Sequence, residues 1–400
     1  MADGERGFGL VSFGPLFWAL VGATFLGFLG MGTVLPQLAP HIHNDLGGSD
    51  RTVGYAIGIF SIVALAARFI SGPIADGRGR KVAFVAGLFS CALAGGAYLL
   101  PLGIAGAYLG RVLQGFGEAC LYTGAAAWAV ELAGVHRSSQ ALGYISSGIW
   151  GGISAGPVVG QWLGTFHRAA AMQMIAASIA CLMLTMVPER YVPSPYPRRG
   201  PWMPRSLWAP GLAVGFVNVN LPVITGFLVL HLASHGHSGP AAFSAYAGLI
   251  LLARFFLGSV PDRIHPGITY YFGLCVMAAG LLSLASGPGP VVAIAAAGLL
   301  GFGFSFPWSS IVSSVLRKTP SNEHGMAVGM LSAFYDVFVG ISSFGAGEVS
   351  SRFGYSAAFV MAAVSLVAAA ALGVWVFPRR GPGGPVVTDD DEAYLEPVEL

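Results

Sequence analysis

Ionisable side chains are sparse within the long apolar runs of this 400-residue chain, and those lying deep inside them are Arg68, Arg111, Glu118, Arg254 and Asp336. An ionised group in hydrocarbon is costly, so such residues usually face a cavity, pair with one another or carry ions. Arg111 and Glu118 stand seven residues apart in Gly110-Arg-Val-Leu-Gln-Gly-Phe-Gly-Glu118, which puts both on one face of a helix, two turns apart. Glu118 falls near the middle of its run and is a candidate proton carrier; burial and a nearby cation, here Arg111, act on such a proton in opposite directions. The plain alternative is a charge pair that knits helices together. Asp336, preceded by Tyr335, is the acid near the middle of the second half of the chain, whereas Glu348 lies near the outer end of the same run. Arg68, eight residues from Asp76, lies at a depth of about 12 Å. Asp336, counted from a helix start near Gly325, comes out at roughly 16 Å.

The elements that must hold these residues are membrane helices. Of the 400 residues 55% are hydrophobic and only 10% charged, and the mean hydropathy is +0.71, a composition that marks a polytopic, all-α membrane protein. Apolar runs bounded by charges, Gly or Pro number twelve: 14–40, 52–75, 82–101, 104–130, 140–164, 168–188, 207–232, 241–261, 267–286, 290–315, 325–348 and 355–377. The first run is too long for a signal-peptide core and is read as an uncleaved helix. With the first loop outside, fourteen of the 20 basic residues fall inside, three (Arg51, Arg168, Arg352) outside and three within helices. The positive-inside rule therefore predicts cytoplasmic termini, in the plasma or inner membrane. Residues 1–188 and 207–378 read as two six-helix bundles, 189–206, rich in Pro and Arg, as a cytoplasmic linker, and 379–400, with its acidic Asp389-Asp-Asp-Glu392, as a disordered tail.

The two bundles are related by a single offset of 186 residues. Leu35-Pro36 recurs as Leu221-Pro222, Ala67-Arg68-Phe69 as Ala253-Arg254-Phe255, and Gly72 and Asp76 as Gly258 and Asp262. Gly115-Phe116-Gly117 recurs as Gly301-Phe302-Gly303, and Ala141, Gly143 and Ser146 as Ala327, Gly329 and Ser332. The repeat is not symmetric in charge: Arg111 and Glu118 correspond to Ala297 and Phe304. That asymmetry weighs against a purely structural role for the pair. It also sets Trp150 where the second half has Asp336, so an arginine meeting it, such as Arg254, would find no acid there and a cation–π contact is what could form.

Three motifs carry a resemblance to a known family. Gly72-Pro-Ile-Ala-Asp-Gly-Arg-Gly-Arg-Lys81 reads as a tight basic loop between helices 2 and 3, with Gly77 and Gly79 for the reversal and Asp76 among Arg78, Arg80 and Lys81. It resembles the signature loop of the major facilitator superfamily of secondary transporters. Arg111, Gln114 and Gly115 are similar to that family's helix 4 motif, whose arginine the resemblance links to proton transfer. Gly152-Ile-Ser-Ala-Gly-Pro-Val-Val-Gly160 resembles its helix 5 antiporter motif, with Gln161 in place of the usual last glycine. Physically, Gly152, Gly156 and Gly160 expose a smooth strip and Pro157 removes one backbone hydrogen bond, so the helix can bend and a neighbour lie close; ordinary small-residue packing reads the same way.

The resemblance implies twelve helices in two related halves, alternating access and helix 2 packed against helix 11. Arg68 and Asp336 would then meet across the halves and gate the cytoplasmic side, with Asp76 and its basic loop below; the other destination for Arg68 is the inner interface, by snorkelling. Gln114, Trp150, Asn218 and Tyr335 are the expected cavity residues, Asn218 and Asn220 pointing to different faces. The leading function is proton-coupled efflux of small amphipathic molecules, resembling drug:proton antiporters. Import of a nutrient by symport or uniport is the alternative, and a non-transporting receptor a third reading. An enzyme is not expected: no nucleotide loop, zinc signature or nucleophile elbow appears. Cys91, Cys120, Cys181 and Cys275 match neither metal nor redox spacing, and exposed pairs such as His41/His43 and His235/His237 are read as solvated. The expected partners are the substrate, protons and the lipid bilayer, with no cofactor, metal or nucleic acid, and a monomer is expected.

Overall fold

The structure, a computed structural model, describes residues 13–133, 137–186, 204–237, 239–257, 264–319 and 324–378, without the side chains of residues 76, 138, 139, 255 and 324–326. Most of the expected linker and the whole expected tail lie outside the described residues, as does Asp262. The helices are α1 (Pro15–Pro40), α2 (Asp50–Arg78), α3 (Arg80–Leu99), α4 (Ile104–Ala133), α5 (Ser138–Leu163), α6 (Phe166–Thr185), α7a (Trp208–Asn218), α7b (Asn220–Ser234), α8 (Pro240–Leu257), α9 (Pro266–Ala285), α10 (Pro290–Leu316), α11 (His324–Phe353) and α12 (Tyr355–Val376). No strand occurs among the described residues.

Local chemistry explains the ends. Ser49 and Thr52 form a reciprocal capping box at the start of α2, and Pro15, Pro266 and Pro290 open their helices where a missing N–H costs nothing. The basic segment 72–81 is not the loop its sequence suggests. Helix α2 runs on through Pro73 and Gly77 to Arg78, α3 begins at Arg80, and the reversal is confined to Gly79, whose φ of 111° and ψ of 147° suit only glycine. A second departure is the break between α7a and α7b. Pro222 lacks an N–H and crowds the carbonyl four residues earlier, that of Asn218. The side-chain amides of Asn218 and Asn220 donate back along the chain to Val214 O (2.7 Å) and Val217 O (2.6 Å).

Helices α1–α6 pack mainly with one another, as do α7a–α12, and the pairings correspond under the repeat: α1·α5 with α7a·α11, α2·α4 with α8·α10, and α3·α4 with α9·α10. The two groups meet along α2·α11 and α5·α8, a pair of contacts that the repeat exchanges, and along α1·α7b. Large apolar side chains such as Phe89, Phe256, Ile341, Val364 and Trp375 face outward and are exposed. Exposed apolar surface on this scale suits lipid rather than water. Among the described residues, nine helical segments are long and apolar enough to cross a bilayer. The three that miss are α4, diluted by Arg111, Gln114 and Glu118, α5, diluted by Gly and Ser, and the short apolar part of α8.

Close approach within the first bundle rests on the α5 glycines. A Cβ at Gly152 would lie 2.6 Å from Phe25 O, and one at Gly156 2.5 Å from Gly32 Cα, so the strip lies against α1. Gly156→Ala is expected to push the two helices apart and destabilise the protein by about 1–3 kcal/mol, read as a lower thermal midpoint in detergent. An unchanged midpoint would mean that the α1·α5 contact has slack.

Candidate functional site

Arg68 of α2 sits at the centre of the site. Its Nε donates to Asp336 Oδ2 of α11 at 2.6 Å, and its Nη2 lies 3.6 Å from Glu118 Oε2 of α4. The Arg68 guanidinium also lies 5.1 Å from the Tyr122 ring centre. One cation thus serves two carboxylates, and it does so unequally. Asp336, 3% exposed, holds the hydrogen bond, whereas Glu118 Oε2 is buried and has no hydrogen-bond partner among the described residues. The interface α2·α11 places the pair.

Arg111 is not the cation beside Glu118. Its Nε donates to Ala56 O (3.0 Å), its Nη1 to Gln114 Oε1 (2.6 Å), and its guanidinium covers the Phe60 ring at 4.2 Å. Seven residues along a helix amount to about 10 Å of rise, and helical side chains lean toward the N-terminus. Arg111 therefore leans away from Glu118, which follows it in the chain. Gln114 extends the network: it accepts from Tyr98 OH (3.0 Å), and its Nε2 donates to Gln173 Oε1 (3.2 Å), whose own amide donates to Cys91 O (3.1 Å).

A cavity lies between the two groups of helices. Arg111, Gln114, Glu118, Trp150, Tyr335 and Asp336 are polar or aromatic members of its wall, with Pro157 from α5. The space that would take a water molecule is about 130 Å³, small against the roughly 300–1,000 Å³ of ordinary ligand sites. Asn218 is not in the wall: it is buried and spends its amide on the α7a backbone. Sequence reasoning missed Phe243, Tyr246, Ser154 and Thr225, which do line the cavity. Tyr246 had a usable signal, because the repeat pairs it with Phe60, the ring beneath Arg111. In the second bundle Arg254 lies over Trp150 at 3.7 Å.

Around the basic turn, Arg80 pairs with Glu131 of α4 and Lys81 Nζ donates to Thr185 O at 3.1 Å, so two of its cations fasten α3 to its neighbours. Arg78 is exposed, and the Asp76 side chain lies outside the described residues. The bundles are also tied at the end opposite the basic turn, by Arg51 Nε to Glu348 Oε2 (2.6 Å) and by Ser244 Oγ to Gln161 Oε1 (2.8 Å). The Arg68–Asp336 pair therefore coexists with contacts between the bundles at the end opposite the basic turn. All four cysteines are free, and among the described residues no group of three His, Cys, Asp or Glu could hold a metal.

A family model of the Major Facilitator Superfamily matches residues 20–315 and again 211–399. An uncharacterized MFS-type transporter of Salmonella typhimurium is 28% identical over 366 residues, spanning 88% of this chain and 93% of its own. One of Burkholderia mallei is 28% identical over 382 residues, 90% and 92% of the two chains. Among solved structures, the nucleoside transporter NupG superposes with a TM-score of 0.73 at 15% identity over 92% of this chain and 100% of its own. The human organic anion transporter MFSD10 (TETRAN) gives 0.69 at 16%, over 89% and 98%. At such identities the likeness is one of fold. Taken with the all-helical fold, its internal repeat and the family match over nearly the whole chain, this protein belongs to the Major Facilitator Superfamily and is a transporter, not an enzyme.

Proposed function

We propose that this transporter is a monomeric, proton-coupled exporter of small amphipathic molecules, with twelve membrane-spanning helices and both termini in the cytoplasm of a plasma or inner membrane. The observation that carries the reading is the sharing of Arg68 by two carboxylates of which only Asp336 holds a hydrogen bond. A site with two acids and one cation has a surplus charge that one proton can neutralise, and Glu118 Oε2 is where that proton fits. The same cluster joins α4 and α2 of the first bundle to α11 of the second, so protonation acts on the contact that must break when the cytoplasmic side opens. Arg68 and Asp336 are the gate, with Arg80 and Lys81 anchoring the turn beneath it. The cavity wall is mostly apolar beside this charged floor, which suits amphipathic cargo. Export rather than import follows the glycine strip and Pro157 of α5, the elements of an antiporter-type helix.

Everted membrane vesicles made acid inside, loaded from a panel of amphipathic fluorescent dyes, test the direction. Accumulation that collapses when the pH gradient is dissipated is expected. Accumulation seen only in right-side-out vesicles with acid outside would establish symport instead.

A further inference from the structure

The repeat sets Arg254 of α8 where α2 has Arg68, but the surroundings differ. The positions of the two carboxylates that serve Arg68, Asp336 and Glu118, correspond around Arg254 to Trp150 and Phe304. Its guanidinium lies against the Trp150 face, and its Nε and Nη2 are buried with no hydrogen-bond partner among the described residues. A ring face compensates a buried cation only in part and accepts none of its in-plane N–H bonds. Two further polar atoms nearby are in the same condition. Tyr246 OH, two turns before Arg254 and an electrostatic neighbour of it, and Ser154 Oγ, one turn beyond Trp150, are buried without partners among the described residues. Trp150, Phe304, Tyr246 and Ser154 all belong to the cavity wall; Arg254 itself does not, and lies against the face of Trp150.

Native proteins rarely leave several buried donors unmatched at one place, and a water, ion or other bound group commonly accounts for such a cluster. The set here is one cation and two hydroxyls with no acid among them, the complement of a carboxylate or sulfonate. We propose that the substrate is an amphipathic organic anion. Its head group takes the place of the carboxylate missing beside Arg254, bonded by Nε and Nη2 with Tyr246 as a second donor. Its apolar body lies on Phe28, Phe243 and Phe304 across the cavity. A planar acid group accepts two parallel N–H bonds from a guanidinium, so a lysine would serve less well. The proposal rests on the cavity being the transport site.

Three compounds with one ring system and different head groups provide the test: 1-naphthoate, 1-naphthamide and 1-naphthylmethylammonium, titrated against the purified full-length protein in detergent. Wild type is expected to bind the anion about tenfold or more tighter than the amide. Arg254→Gln should lose that preference, while Arg254→Lys keeps part of it and Tyr246→Phe weakens the anion alone. Equal binding of all three head groups by wild type would overturn the proposal. So would no binding of 1-naphthoate at millimolar concentration, or a folded Arg254→Gln protein with the preference intact. The wild-type comparison decides even if a variant fails to fold. Because no gradient is present, the result is separate from proton coupling, which fails or succeeds in vesicles on its own.

Discussion

Glu118→Gln is expected to abolish proton-driven accumulation in everted vesicles while leaving substrate binding by the purified protein detectable. Glutamine has the shape of a protonated glutamate and none of its capacity to lose the proton. The site around Arg68 would then hold one cation and one carboxylate at all times. One proton exchanged across a gradient of one pH unit is worth about 1.4 kcal/mol, a tenfold accumulation, and that driving force is what the variant should lose. Equilibration of substrate down its own gradient should continue, since Glu118 Oε2 makes no hydrogen bond among the described residues that the substitution would break. Should Glu118→Gln still concentrate substrate with wild-type proton dependence, the proton is carried elsewhere, and Asp336 becomes the better candidate.

The second large effect concerns the pair that joins the bundles. Arg68→Asp gathers three carboxylates at one buried site, and Asp336→Arg sets two guanidiniums face to face. Removing one partner of a buried pair typically costs about 3–5 kcal/mol, because the remaining charge is left uncompensated. Each single variant should therefore transport poorly. The double variant restores one cation to two acids, with the charge moved from α2 to α11 and still near Glu118, and should recover part of the lost transport. A double variant no better than the worse single one, with all proteins inserted and folded, would remove the pair as the gate.

The difference between what could be read from the residues and what could not follows from geometry. Depth along a helix is linear in residue number, so Arg68 and Asp336 are legible as lying at similar depths; the contact of helix 2 with helix 11 comes from the family resemblance, and the 186-residue repeat then carries Arg254 to Trp150 by symmetry. Direction around and along the axis is harder. Arg111 and Glu118 share a helix face, yet side chains lean toward the N-terminus, and Arg111 turns to Ala56 O and Gln114 instead. Asn218 looked like a cavity residue because its amide is polar in an apolar run. That amide instead bonds Val214 O, four residues back on its own helix. The basic segment read as a loop because Gly and Pro usually end helices, but α2 continues through Pro73 to a one-residue turn at Gly79. Ser154 and Phe243 gave no sequence signal, since an aromatic or hydroxyl side chain facing a cavity is indistinguishable in sequence from one facing a neighbouring helix.

The proposed coupling places a proton on Glu118 within the Arg68–Asp336 site. Infrared difference spectroscopy of the protein in lipid, between buffers at the pH values of the two membrane faces, tests it without a substrate. A protonated-carboxyl band is expected in wild type, retained at a shifted frequency in Asp336→Asn and missing in Glu118→Gln. A band that survives in Glu118→Gln and vanishes in Asp336→Asn, or no titrating carboxyl band in wild type, would contradict it.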